Sequence, residues 1–115
     1  MSTEGGTVIV LHAETLGRGD DALGAKLMGS YLRTLASLEP KPDALVFYNA
    51  AVKLLSRESQ SYEALRALED AGVDLLACVT CLEYFVLLDS RALGRVSNMR
   101  EILQRQLTAA KVITA

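Results

Sequence analysis

Cys78 and Cys81 stand two residues apart in LLACVTCLEYF, residues 75–85, and they are the only thiols in the chain. That spacing suits a redox couple, half of a metal site, a carrier of persulfide sulfur, or two thiols packed as small hydrophobes. A four-ligand zinc site needs carboxylates to complete it, because His12 is the only histidine. No metal is therefore expected. Thr80-Cys81-Leu82-Glu83 has the T-x-x-E form of a capping box, which places Cys81 at the first position of a helix. A helix N-terminus stabilises a thiolate, the form that attacks a persulfide or closes a disulfide, while the Glu83 charge works against it.

Other groups carry weaker signals. Ser56, Ser59 and Ser61 flank a helix start and read as caps and turn residues, outside any G-x-S-x-G elbow. Gly17-Arg18-Gly19-Asp20-Asp21-Ala22 formally satisfies G-x-G-x-x-A. Asp20 and Asp21 would repel a phosphate there, and Asn49 stands where a ribose-binding carboxylate belongs. No dinucleotide or other cofactor is expected. The acidic pair reads instead as a helix cap that suits the helix dipole.

The elements that must position these residues alternate. TVIVLH (Thr7 to His12), DALVFY (Asp43 to Tyr48), VDLLAC (Val73 to Cys78), a weak segment at Gly94 to Val96, and Lys111 to Thr114 read as strands. Between them come a helix from Asp20 or Asp21 that ends before Pro40 and Pro42, a short AAVKLL turn, and a helix from Ser59 or Ser61 to Gly72. A short helix containing CLEYF and one starting at Asn98 complete the set. The broad apolar face of the first helix comprises Ala22, Leu23, Leu27, Met28, Tyr31, Leu32, Leu35 and Leu38. Alternation of this kind predicts an α/β fold, a parallel sheet with helices on both faces. Ligands of such sheets bind outside the carboxyl ends of the strands. There lie His12, Glu14, Asn49, Cys78 with Cys81, and Ser97 with Asn98.

At 115 residues the chain reads as one domain, residues 1–115, with a flexible N-terminus at 1–6. Half its residues are hydrophobic and none is Trp, which makes for an aliphatic core. A formal net charge of −2 and a pI near 5.3 provide no basic footprint for nucleic acid. No window suits a membrane span, and MSTEGGTVIV lacks the form of a signal peptide, so neither membrane nor export is expected. A cytoplasmic chain keeps its thiols reduced, which favours catalytic over structural cysteines. Tyr84 to Leu88 is more apolar than a short exposed connection should be and predicts an interface.

LGRGDDALGAKLMGSYLRTL, VFYNAAVKLL, LEDAGVDLLACVTCLEYF and SNMREI together resemble the DsrE/DsrF-like sulfur-relay family, from about Val8 to Ile113. The nearer likeness is to the C-terminal domain of YedF-type proteins, sulfurtransferase-like and linked to selenium metabolism. The resemblance implies a three-layer α/β/α fold with a five-stranded parallel sheet, and homo-oligomers, trimers or multiples of them. It also implies that Cys78 carries sulfur as a persulfide and that Cys81 matches the second cysteine of the family pair. The family's F-Y-N and T-N-M motifs fall on Phe47-Tyr48-Asn49 and Ser97-Asn98-Met99. His12, Asn49, Thr80, Ser97 and Asn98 are the expected lining of the cysteine cleft. Val79 replaces the usual Gly and Ser97 the usual Thr. The TusA-like domain of YedF-type proteins does not occur in these residues, so a separate sulfur donor or acceptor protein is expected. Sulfur transfer leads the reading; a thiol–disulfide protein and a non-enzymatic binding subunit with packed thiols are the alternatives.

Overall fold

The computed structural model describes residues 6–115. Strands β1 (Thr7–Leu11), β2 (Ala44–Phe47), β3 (Asp74–Cys78), β4 (Arg95–Ser97) and β5 (Lys111–Thr114) form one sheet in the order β4-β3-β2-β1-β5, with every pairing parallel. Helices α1 (Asp21–Ser37), α2 (Tyr62–Asp70), α3 (Val79–Tyr84) and α4 (Met99–Thr108), with a 3-10 helix (Asn49–Leu55), make the crossovers. None of these helices is long and apolar enough to cross a membrane. The flexible segment expected at residues 1–6 lies outside the described residues except for Gly6. Its carbonyl accepts the Ala110 and Lys111 N–H groups at 2.9 and 3.2 Å.

Strand burial explains the apolar runs. All of β2 is buried, and so is all but the first residue of β1 and β3, because helices cover both sides of the central strands. Alternate residues point to opposite faces. Ile9, Leu11, Leu45, Phe47, Leu75 and Ala77 pack with α1, α2 and the 3-10 helix. Val8, Val10, Ala44, Val46, Leu76 and Cys78 pack with Ile102 of α4. The result is the three-layer arrangement, with β4 and β5 as its exposed edges.

Helix α1 departs from its sequence pattern. Asp20 caps it, accepting the Leu23 N–H at 2.8 Å. The buried stripe, however, is Gly24, Met28, Gly29 and Leu32, with Tyr31 and Leu35 partly covered, while Ala22, Leu23, Leu27 and Leu38 are exposed. Gly24 faces inward because a Cβ there would stand 2.8 Å from the Thr15 Cβ. A count of large apolar residues passes over such a close approach.

Helix α4 is anchored differently. Ile102 is its one buried residue, and a single isoleucine contributes only about 1.5–3 kcal/mol. Polar contacts supply the rest. Arg95 donates to both oxygens of Asp74 at 2.9 and 3.0 Å and to both of Glu101 at 3.1 and 2.6 Å, and Arg105 reaches Asp74 at 2.7 Å. The start of β3, strand β4 and α4 are thereby tied together. Bidentate pairing of this kind is among the stronger polar contacts. Burial by itself raises the Asp74 pKa, but hydrogen bonds from Arg95 and Arg105 outweigh it and leave the carboxyl below its ordinary value.

Candidate functional site

The two cysteines sit where β3 runs directly into α3. Cys78 ends the strand with extended angles (φ −62°, ψ 123°) and is itself the N-cap of the helix. The capping box expected from Thr80 and Glu83 is absent: the helix starts at Val79, with no intervening turn, so Thr80 is its second residue and Cys81 its third. The reason is geometric. An N-cap needs only extended backbone angles, and the last strand residue already has them.

Cys78 is 3% exposed, packed on the α4 side of the sheet among Val46, Leu76 and Ile102. Cys81 is partly exposed and touches both core clusters. With Asn49, Thr80, Tyr84 and Phe85 it lines a cleft of about 310 Å³. Both thiols are free. The Cys81 sulfur accepts the Asn49 backbone N–H at 3.1 Å. Asn49 has φ +50°, a left-handed conformation that asparagine tolerates better than most residues, and it opens the 3-10 helix directly after β2. Burial, and then the neighbouring Cys78 thiol, push the Cys81 pKa up, and the Asn49 N–H opposes them without winning. The direction of that shift runs against the activation expected from a helix N-terminus.

The remaining candidates lie around or away from this cleft. His12 lines a separate cavity of about 640 Å³ with Gly17, Arg18, Gly19 and Ala115. Glu14 lines a third, of about 650 Å³, with Asp21, Glu58 and Ser59, and pairs with Lys53 at 3.7 Å. These cavities are larger, but neither contains a thiol. Ser97 is the register partner of Cys78, yet it is 4% exposed and its hydroxyl donates to Glu101. The Asn98 side chain caps α4 by accepting the Glu101 N–H at 2.9 Å. Ser97 and Asn98 thus position α4 beside Cys78 and do not line the cleft. The Tyr48 hydroxyl donates to the Met99 sulfur at 3.7 Å and accepts from Gln106 at 3.1 Å, so the FYN and SNM segments meet.

Sequence reasoning missed Tyr84 and Phe85 as cleft walls, having read their apolar run only as an interface. Lys53, 4.6 Å above the Phe85 ring, was also missed. A cation four residues after a strand-end Asn was the available signal. The described residues hold no cluster of three or more metal-ligating side chains.

The profile of the DsrE/DsrF-like family matches residues 13–115. The chain belongs to that family. Comparison with curated proteins gives no significant match. Among solved structures, this DsrE/DsrF-like chain is similar to the ychN protein from E. coli at TM-score 0.73 and 21% identity, covering 96% of this chain and 99% of that one. A protein of unknown function from Methanobacterium thermoautotrophicum aligns at TM-score 0.68 and 26% identity, over 95% and 97% of the two chains. One from Bacteroides thetaiotaomicron aligns at 0.64 and 16%, over 95% and 94%. These likenesses establish the fold over 95–96% of the chain.

Proposed function

We propose that the chain is a sulfurtransferase-like carrier that holds sulfane sulfur on its Cys78–Cys81 pair, taking it from one protein thiol and delivering it to another. The observation that carries this reading is the Cys81 sulfur on a cleft wall with a backbone N–H directed at it. A persulfide is anionic near neutral pH, and an N–H in a partly desolvated cleft holds an anion. Family membership supports a sulfur-relay role, and the reducing cytoplasm is the compartment that suits it. The test is intact-mass analysis after incubation with a persulfide donor. Addition of about 32 Da, one sulfur, supports the carrier role; no addition while a control carrier loads removes it.

The carrier acts in this proposal as a homo-oligomer, a trimer or a multiple of one. Met99, Leu103 and Leu107 form an exposed apolar stripe along α4, and Tyr84 and Val86 are more than four-fifths exposed beside the cleft. Stripes of this kind are commonly covered by a partner. Sedimentation that finds only monomer at micromolar concentration eliminates the oligomer.

One observation favours thiol–disulfide exchange as a second reading. Side chains at an N-cap and at the third helical position face one another, and Cys78 and Cys81 hold those places. Thiol counting across a glutathione series, with no sulfane donor present, tests this reading, since a redox pair forms an intramolecular disulfide at a defined potential.

A further inference from the structure

The resemblance places the carried sulfur on Cys78, but the geometry of the cleft assigns the opposite order of events. We propose that Cys81 takes the sulfur first, that the Asn49 backbone N–H holds the resulting anion, and that Cys78 is the second thiol, loaded from Cys81. This order rests on the sulfur-carrier reading above.

Access decides it first. Attack on a bulky protein persulfide needs an approachable sulfur, and Cys78 is 3% exposed while Cys81 lines the cleft. Anion binding decides it second. The Asn49 N–H points at Cys81, 3.1 Å away, from a left-handed residue whose backbone is not free to swing elsewhere without rebuilding the start of the 3-10 helix. Contact decides it third. Cys81 packs against both core clusters, the one that contains Cys78 included, while also lining the cleft, so it touches the opening and the surroundings of the buried thiol alike. In a helix-start CxxC the N-cap thiol is the expected first nucleophile; here it is the one the fold has buried.

The chemistry balances without an external oxidant. The Cys81 thiolate attacks the outer sulfur of a donor persulfide, an S–S bond forms on Cys81, the donor S–S bond breaks, and the donor leaves as a thiolate. The Cys78 thiolate then attacks that outer sulfur, giving a Cys78 persulfide and a Cys81 thiolate, which takes a proton from solvent. Attack at the inner sulfur instead would close a Cys78–Cys81 disulfide and expel hydrosulfide.

Burial of Cys78 under α4 also gives the order a purpose: a persulfide moved to Cys78 leaves solvent and is protected from small thiols that would strip it. Asn49 acts in this scheme as a positioning residue through its main chain. Its side chain is not required for the contact, but its tolerance of positive φ is.

Two measurements test the order. In the first, the wild type, Cys81→Ser and Cys78→Ala are loaded with glutathione persulfide and mapped by mass spectrometry. Cys78→Ala loading on Cys81 and Cys81→Ser loading about tenfold or more slower than wild type support the proposal. Cys81→Ser loading at the wild-type rate on Cys78 overturns the order and leaves the carrier reading intact. A wild type that never loads overturns both. The second measurement needs no variant of either cysteine and no sulfur: native alkylation with iodoacetamide should modify Cys81 about tenfold faster than Cys78, and the reverse ranking overturns the order. For the Asn49 contact, the pH midpoint of Cys81 alkylation should rise more in Asn49→Val, which resists left-handed angles, than in Asn49→Gly, which accepts them. Equal midpoints in two folded variants overturn that part.

Discussion

The Asn49 main-chain N–H and the Cys81 sulfur, 32 residues apart in sequence, are joined by a 3.1 Å hydrogen bond across the ends of two neighbouring strands. The bond pulls the thiol pKa down, while burial and the adjacent Cys78 push it up by more. A thiol that keeps its proton longer in the folded state than in the unfolded chain contributes stability below the unfolded value. That stability is lost as pH rises through the folded value. Urea unfolding in reductant between pH 7 and pH 10 should therefore show the wild type weakening relative to Cys81→Ser above about pH 8.5, the ordinary cysteine range. Parallel pH profiles would refute this account of the thiol.

His12 belongs to another cavity. His12→Ala should load persulfide at the wild-type rate and change stability by less than about 0.5 kcal/mol, since the side chain is exposed. Loss of loading with the fold retained would bring the histidine back into the reaction.

Val86 is left-handed at φ +57° and closes α3 in a Schellman motif, with Leu87 N–H on Leu82 O at 2.8 Å and Val86 N–H on Glu83 O at 3.1 Å. Glycine is the usual occupant of that position, and a β-branched residue there is strained by about 1–2 kcal/mol. Val86→Gly should raise the stability by up to about 1 kcal/mol after the entropy of the unfolded glycine is subtracted, read as an increase in Tm. A lower Tm would mean that the side chain is held by contacts that outweigh the strain.

Asp74 receives two arginines, and its pKa is lowered. A depressed carboxyl stabilises the fold above its unfolded pKa, and the contribution disappears as pH falls through the folded value. Asp74→Asn should cost about 1–2 kcal/mol at pH 7, a moderate figure because the carboxylate is 28% exposed. The gap between variant and wild type should narrow in urea melts below pH 4. A gap that does not change with pH would assign the cost to shape and not to charge.

Much of the fold was legible because it rests on local signals. VIVL, ALVF and LLAC are apolar along their whole length, as strands covered on both faces must be, and the acidic cap at Asp20, the glycine after α2 and Asn98 mark helix ends by local hydrogen-bonding chemistry. Less legible was which side of each helix turned inward. In α1 the glycines at 24 and 29 are buried and Leu23 and Leu27 are exposed, because the interface selects for close approach and sequence pattern registers only side-chain size.

The sequence by itself determined the parallel α/β architecture, the family and the placing of both cysteines at a strand-to-helix junction, since each depends on residues close together in the chain. Only the tertiary structure decided how the two thiols differ. Cys78 is buried because β3 pairs with β2 and β4 and lies under α4, and Cys81 is open because α3 turns it toward Asn49, Tyr84 and Phe85. Burial and the Asn49 hydrogen bond are properties of strands brought side by side from distant parts of the chain, and a CxxC spacing carries no record of them.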